Sequence, residues 1–358
     1  MPIIAVMKRT VLFFILVVLS GVFSGLLQAQ PADTLFVKEA EALFARVAQS
    51  SYIPYYQTIA KAEVCVSRQR YGEAMSLYQK ALSSVEYPHN KDIRNAYVCA
   101  AILNDTDFLF DTLSPYFGRI NVSALSKLPL FSKYDSLSKW NRVKVLSDSV
   151  LLISEQSINW EYVRLIDSLC KEDQKPRNKR LPWKIHNVRK REEAYRYWRF
   201  IDSSVAATMD SLILLYGYPC MQNTGYRFRN GYSYPVCLWH RGDTLFAKTE
   251  YEALCQGKIS PENYARHISY IIMASNADSL IKKKDVFCTN FMPYPEDSAN
   301  KMRIDSNRRR IGLPSLDEAQ AMREYLRSNE NPGFIFDVSF WVSPKRRRFA
   351  VSLFDFAQ

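Results

Sequence analysis

Apolar residues recur every three or four positions along most of this chain of 358 residues, which is the spacing of amphipathic helices. In the clearest segment, residues 160–177, they share one helical face: Val163, Ile166, Leu169 and Cys170. The chain has 11 glycines, which is few for a turn-dense β-sandwich or a glycine-rich phosphate loop. The sequence therefore predicts a mainly α fold.

A cluster of polar residues at the end of this segment is a candidate site. Pro176 disfavours helical geometry at the residue before it, so the helix is predicted to stop or kink there. The carboxylate of Asp173 then lies near a helix C-terminus, where the macrodipole disfavours negative charge and Arg177 is a candidate to compensate. Asp173 is a candidate catalytic residue, and Gln174 and Arg177 are candidate binding residues.

The first 29 residues have the pattern of a secretory signal peptide. Lys8 and Arg9 precede an apolar run at residues 11–27, and small and polar residues follow. An uncleaved membrane anchor is the alternative, but the run is a little short for the ~20 residues of a membrane span. No cysteine follows the run, which argues against a lipoprotein anchor. We therefore expect cleavage after Ala29 and an exported protein, periplasmic or associated with the cell envelope.

The chain is basic, and its charge restricts the partners to expect. The formal charge is +12, of which Lys8 and Arg9 leave with the signal peptide, so the mature chain keeps +10. Basic charge favours anionic partners, and an exported protein rarely meets nucleic acid, so a protein or another envelope component is the expected partner. Contact with the membrane is expected only transiently, through the signal peptide. The alternative is a basic face that is simply solvated.

Residues 175–199 concentrate this charge, with ten basic residues against two acidic ones. Tyr195, Tyr197 and Trp198 lie among them, a composition that grooves for single-stranded nucleic acid also have. The expected structure is instead a helix whose basic side chains lie over the aromatic rings. No nucleic-acid partner is predicted.

The chain has seven cysteines, an odd number that leaves at least one thiol free even in an oxidising compartment. Cys220 and Cys237 share a loop-rich segment and are the first pair to test for a disulfide. Three others lie on apolar helical faces and are predicted to be small buried residues: Cys65, Cys99 and Cys170. No CxxC motif is present, so a zinc ribbon has no support.

Residues 70–84 resemble one tetratricopeptide repeat, because small and aromatic residues stand where that repeat places its packing residues: Tyr71, Ala74, Tyr78, Ala81 and Leu82. A further, degenerate helical pair is predicted at residues 90–117. Fewer than about three repeats seldom fold alone, so this region is expected to pack on the rest of the chain.

Composition and motifs divide the chain into four parts: a signal peptide at 1–29, a helical-repeat-like region at 30–155, an α-rich domain at 156–328 and a tail at 329–358. No Ser/Gly-rich linker separates the two helical regions, so they are expected to share an interface. The tail has two β-rich runs, 334–342 and 349–356, around the sequence SPKRRR, which favours a C-terminal β-hairpin.

Several short motifs in the second half of the chain follow one another in a recognisable order. They are Asp173-Gln174 with Arg177, Tyr216-Gly217-Tyr218-Pro219, Gly225, Leu238-Trp239-His240, the helix start at 257–265, Pro293-Tyr294-Pro295-Glu296-Asp297, and Arg309-Arg310 with Ile311-Gly312-Leu313-Pro314. Through these motifs, residues 167–326 resemble a bacterial family known only as domain of unknown function number 6624. Members of that family often have helical repeats upstream, and this chain is similar.

The chain departs from the family pattern at three places. Ser269-Tyr270 stand where the family usually has Asp-Arg, and residues 287–290 replace a Tyr-Gly-Thr-Gln sequence. Arg241 stands where an acidic residue usually follows the histidine. The family has no established activity, so the resemblance implies a fold unit and no reaction.

The sequence contains no motif for dinucleotide binding, phosphate binding, zinc proteolysis or serine hydrolysis. The expected function is a non-enzymatic helical binding or scaffold protein of the cell envelope in a Gram-negative bacterium, with no cofactor and no metal. The alternative is a hydrolase-type enzyme in which His240 is the general base, Asp173 orients it and Arg177 binds an anion. A metal site at His240 and His267 is a third hypothesis, but their spacing matches no known local ligand pattern.

Overall fold

The computed structural model of the chain describes residues 52–156, 158–178, 185–225, 235–239, 241, 244–274, 287, 295, 297–328 and 331–336. Within these ranges the chain forms helices and no β-strand, which confirms the predicted mainly α fold. The predicted signal peptide, the following residues up to 51 and His240 lie outside the described part of the chain. The sequence predictions that concern them stay predictions.

The described ranges contain thirteen α-helices. They are α1 (Tyr52–Ser67), α2 (Tyr71–Leu82), α3 (Asn90–Leu103), α4 (Val122–Leu125), α5 (Ser138–Gln156), α6 (Trp160–Asn178), α7 (Val188–Tyr216), α8 (Met221–Thr224), α9 (Val236–Trp239), α10 (Thr244–Cys255), α11 (Pro261–Ala274), α12 (Ser298–Arg310) and α13 (Leu316–Arg327). Tight π and 3₁₀ turns at Phe108–Thr112, Ser114–Arg119 and Pro129–Tyr134 lie between α3 and α5. The first two turns replace the second helix predicted within residues 90–117, because Pro115 lacks the N–H that a continuing helix needs.

Helices α1, α2 and α3 pack against one another in chain order, and their short connections make them antiparallel. Four of the predicted packing residues are buried: Ala74, Tyr78, Ala81 and Leu82. Tyr71 is half-buried and stacks on Phe334, with the ring centroids 6.0 Å apart. The predicted helical hairpin is therefore confirmed, whereas membership in the tetratricopeptide family stays a prediction.

An aromatic group fixes the turns of residues 108–134 against α5. The indole of Trp140 is fully buried and stacks on Phe131, with the ring centroids 5.5 Å apart. Phe110 and Tyr134 contact the same indole at 6.1 and 6.0 Å. Such aromatic pairs contribute about 0.5–1.5 kcal/mol each beyond the area that they bury, so this group replaces the regular helix pairing that the turns lack.

Helix α1 joins the N-terminal helices to the C-terminal ones. It contacts α2 on one side and α10, α12 and α13 on the other. The hydroxyl of Tyr56 donates to the carbonyl of Ile259 at 2.9 Å, and Gln57 donates to the carbonyl of Arg309 at 3.1 Å. The N-terminal hairpins thus pack on the C-terminal helices through one shared hydrophobic core, as the missing linker predicted.

The described part of the tail, residues 331–336, is an extended segment held by α3. The side-chain amide of Asn95 donates to the carbonyl of Ile335 at 2.6 Å and accepts from its N–H at 3.0 Å. Phe334 and Phe336 pack on Tyr325 of α13. Residues 334–336 form no strand, because one buried amide satisfies the backbone groups that a neighbouring strand would satisfy. The rest of the predicted hairpin lies outside the described residues.

Helix α6 continues past the point at which the sequence predicted its end. Pro176 lies inside the helix, which runs on to Asn178. Pro176 has no N–H to donate to the carbonyl of Glu172, but only the last turn is affected. The guanidinium of Arg177 donates to the carbonyl of Asp173 at 2.5 Å, one residue beyond the carbonyl that Pro176 leaves without a backbone donor.

Helix α13 begins with a capping box. The side chain of Ser315 accepts from the N–H of Glu318, and the carboxylate of Glu318 accepts from the N–H and hydroxyl of Ser315 at 2.9 and 2.8 Å. Burial alone raises the pKa of Glu318, but the two hydrogen bonds from Ser315, together with the charges of Arg309 and Arg68, lower it below its usual value. The capping box is therefore strongest when Glu318 is ionised.

Replacing Ser315 by Ala should lower the free energy of unfolding by about 1 kcal/mol at neutral pH. Because the folded-state pKa of Glu318 is lowered, its contribution is present above the unfolded-state value of about 4.3 and is lost as the pH falls through the folded-state pKa. The difference between Ser315→Ala and the parent should therefore shrink near pH 4 and below. Urea unfolding at neutral and acid pH measures it, and a difference that does not change with pH would contradict the role of the carboxylate.

Candidate functional site

The candidate residues at the end of α6 form one hydrogen-bonded group. Asp173 is buried, and its carboxylate accepts from Gln174 Nε2 at 2.6 Å and lies 3.3 Å from Arg177 Nη1. Arg177 Nη2 also pairs with Asp202 of α7 at 2.9 Å. The guanidinium of Arg177 lies 5.0 Å from the centre of the Trp198 ring. The structure therefore brings Asp173, Gln174 and Arg177 together at the contact between α6 and α7.

Two carboxylates and an aromatic ring already engage the guanidinium of Arg177, whose side chain is 13% exposed. This arrangement suits a cross-link between two helices better than a group that receives an anion. His240 lies outside the described residues, so its pairing with Asp173 stays a prediction. Helix α9, which ends one residue before position 240, contacts both α6 and α7.

Helix α9 meets α6 at two thiols. Cys237 Sγ lies 3.3 Å from Cys170 Sγ, and both side chains are buried. The contact partner of Cys237 is therefore Cys170, one helical turn before Asp173, whereas the sequence suggested Cys220. The burial predicted for three cysteines is confirmed: Cys65, Cys99 and Cys170.

The hydrogen bond between these thiols shifts their pKa values in opposite directions. The hydrogen bond with Cys237 lowers the pKa of Cys170, although burial acts in the opposite direction. The same bond, together with burial and the nearby charge of Asp173, holds the pKa of Cys237 well above its usual value. Cys170 is therefore the thiol of the pair that ionises first.

A second buried group surrounds His267 of α11. Its Nδ1 contacts the carboxylate of Glu250, and its Nε2 lies 2.9 Å from the carbonyl oxygen of Arg241. Both nitrogens thus face oxygen atoms of the protein and are engaged in the core. The described residues contain no group of three side chains that could hold a metal ion.

A small cavity lies where α1 and α3 meet the starts of α11 and α13. Two of the sequence motifs line it, Ser260-Pro261-Glu262 and Gly312-Leu313-Pro314, opposite Tyr56 and His89. Its volume is about 30 Å³, which is room for a water molecule. Pockets for small organic ligands have about 300–1,000 Å³, so this cavity is too small to admit such a substrate.

An ion cluster borders this cavity and joins α1 to α3. Lys91 contacts the carboxylate of Glu63 and lies 2.5 Å from Asp92 Oδ1. The hydroxyl of Tyr55 donates to Asp92 Oδ2 at 2.5 Å and accepts from the N–H of His89 at 2.9 Å. Burial and the charge of Asp92 raise the pKa of Tyr55 well above its usual value, so the phenol stays a donor. The ion cluster holds the two helices together.

The sequence analysis missed this cluster. One signal was present, because Glu63 interrupts an apolar run in α1, and a buried carboxylate needs a partner. The partner was not identifiable from spacing, since Lys91 lies 28 residues further along the chain. Only the packing of α3 against the N-terminal hairpin brings the two charges together.

The first half of α7 extends away from the core. The buried residues of this helix are Val205 and Met209, both in its second half, and none of residues 188–204 is buried. From Asp202, which Arg177 binds, α7 runs back about 20 Å to its start, at 1.5 Å per residue. The helix predicted for the basic and aromatic segment is therefore confirmed where the structure describes it, at residues 188–199.

The exposed residues of this helix half are mainly basic and aromatic. We call five of them the α7 surface: Lys190, Arg196, Tyr197, Arg199 and Phe200. Two acidic residues, Glu192 and Glu193, are exposed beside them. Tyr197 is 45% and Phe200 is 65% exposed. Both rings therefore present apolar area to solvent, whereas basic side chains were expected to lie over Tyr197.

Comparison with known proteins adds no assignment, since no protein family, curated protein or solved structure matches the chain. The resemblance to family 6624 therefore stays a prediction from its sequence motifs. Among the described helices, none combines the length and the apolar character that crossing a bilayer requires.

Proposed function

We propose that this chain is an exported, non-enzymatic binding protein of the cell envelope, and that the α7 surface binds anionic lipid headgroups there. The observation that carries the proposal is the exposure of Tyr197 and Phe200, 45% and 65%, on a helix half that buries no residue. A helix half without buried side chains gains little from tertiary packing. Its exposed rings are instead typical of a contact surface.

Charge complementarity identifies the partner. Lys190, Arg196 and Arg199 are exposed on the same helix half as the two rings. Together with Arg189 they outnumber the exposed carboxylates of Glu192 and Glu193, and the mature chain has a formal charge of +10. A basic residue near an anionic membrane contributes about 1 kcal/mol to binding, and aromatic rings favour the boundary between water and hydrocarbon. An anionic lipid surface offers both the negative charge that basic residues bind and the boundary between water and hydrocarbon that aromatic rings favour. This proposal departs from the expectation that contact with the membrane occurs only transiently, through the signal peptide.

Flotation with lipid vesicles tests the proposal. The mature chain, residues 30–358, is the form to use, because the apolar run of the signal peptide would itself enter lipid. We expect binding to phosphatidylcholine vesicles that contain phosphatidylglycerol, no binding to pure phosphatidylcholine, and release at high salt. Changing Lys190, Arg196 and Arg199 to Gln should weaken binding by roughly 100-fold, from about 1 kcal/mol for each residue.

A matched control removes the same charge from other helices. Lys61, Lys80 and Arg142 are exposed on α1, α2 and α5, and their change to Gln should leave most of the binding intact. An equal loss in both variants would overturn the assignment to a defined surface. Binding to an oligonucleotide instead of vesicles, or a dimer that Tyr197→Ser disrupts, would assign the surface to nucleic acid or to a second copy of the chain.

A further inference from the structure

We propose that Cys170 and Cys237 form a disulfide bond in the oxidised protein and so join α6 covalently to α9. Their sulphur atoms are in contact at 3.3 Å, and the side chains are 6% and 3% exposed. An S–S bond measures about 2.05 Å, so two side chains have to approach by little more than about 1 Å. By contrast, the sulphur of Cys65 contacts the guanidinium of Arg70 at 3.5 Å.

The hydrogen bond between the two thiols identifies the one that reacts first. A thiolate is the nucleophile in disulfide exchange, and Cys170 is the member of the pair whose pKa is lowered, by its hydrogen bond with Cys237. Cys170 is also the more exposed of the two. The attack on an external oxidant therefore starts at Cys170, and Cys237 resolves the intermediate.

The oxidant is a disulfide, either of a small molecule or of a dithiol protein. The thiolate of Cys170 attacks one sulphur of that disulfide, forms a mixed disulfide and releases the other sulphur as a thiolate, which takes up the proton that Cys170 lost. Cys237 then attacks the sulphur of Cys170, closes the internal bond and releases the second thiolate, which takes the proton of Cys237. Two cysteine thiols are oxidised, and one external disulfide is reduced to two thiols.

The bond would close a loop that contains all of α7. Its ends are 67 residues apart in sequence, and between them lie Asp173, Gln174, Arg177 and the α7 surface. A disulfide stabilises mainly by restricting the unfolded chain, and its effect grows with loop length. The bond would therefore anchor the base of the α6–α7 pair, and this inference does not depend on lipid binding.

Peptide mapping tests the proposal on the full chain. The protein is expressed with its own N-terminal segment, its free thiols are blocked with a maleimide, and the digest is analysed without reductant. We expect a linked peptide pair that contains Cys170 and Cys237 and that reductant separates. Purified reduced protein treated with oxidised glutathione should form the same link and melt about 5–10 °C higher than the reduced form.

Two serine variants make the result specific. Cys220→Ser should keep the linked pair, whereas Cys170→Ser should lose it and leave Cys237 open to the maleimide in the unfolded chain. Circular dichroism shows whether each variant keeps its helices. The peptide mapping of the parent chain tests the proposal even if neither variant folds. The proposal is overturned if the maleimide still alkylates both Cys170 and Cys237 after treatment with oxidised glutathione, or if Cys237 links to Cys220.

Discussion

Replacing Gly312 by Ala should lower the free energy of unfolding by about 3 kcal/mol or more, from a strained backbone and a steric clash together. Gly312 has φ of +87°, a conformation that costs an L-residue with a side chain about 1–2 kcal/mol. An added Cβ would lie 2.2 Å from Cβ of Tyr56 and 2.9 Å from its carbonyl carbon. Backbone atoms of α1 cannot rotate out of the way, so the turn between α12 and α13 would have to move.

Gly72 provides the matched control. It lies in the first turn of α2, and no atom is found within 4 Å of the position that a Cβ would take. Gly72→Ala should therefore raise the free energy of unfolding by up to about 0.5–1 kcal/mol, because glycine loses more backbone entropy on folding. Thermal and urea unfolding, followed by circular dichroism, measure both variants. A Gly312→Ala protein within about 1 kcal/mol of the parent would contradict the close packing of this turn on α1.

The parts of the fold that were predictable are those that neighbouring residues determine. The repeat-like spacing of Ala74, Tyr78 and Ala81 predicted a buried face of α2, and Ser260-Pro261 predicted the start of α11. Apolar periodicity and helix caps act within one or two turns of the chain. These helices can therefore be predicted from the local sequence, without the tertiary structure.

The contacts that the sequence did not predict join distant segments. Cys237 meets Cys170 and not Cys220, because α9 packs on α6, and no spacing rule encodes that packing. Asn95 satisfies the backbone of Ile335, 240 residues away, where β-rich composition favoured a strand. For the candidate site, the helix that carries Asp173 was predictable, but its continuation through Arg177 was not. The binding of Arg177 to α7 was not predictable either, since it depends on the path of the chain between the helices.

Replacing Lys91 by Met should lower the free energy of unfolding by about 3–5 kcal/mol, as expected when one partner of a buried ion pair is removed. Lys91 is the cation of the ion cluster, and its ammonium group contacts two carboxylates that are almost fully buried, Glu63 at 5% and Asp92 at 2% exposure. Methionine keeps most of the apolar stem but leaves both negative charges in the same place. Tyr55 supports only Asp92, so it cannot neutralise the pair.

Lys139 is the control, because its pair with Asp111 has a similar length of 2.8 Å but side chains that are 55% and 65% exposed. Lys139→Met should change the free energy of unfolding by about 0–1 kcal/mol, as is usual for surface ion pairs. Combining Lys91→Met with Glu63→Gln should recover part of the loss, since one buried charge then disappears and the two effects are not additive. Equal effects at Lys91 and Lys139 would mean that solvent screens the ion cluster, and that apolar packing alone holds α1 against α3.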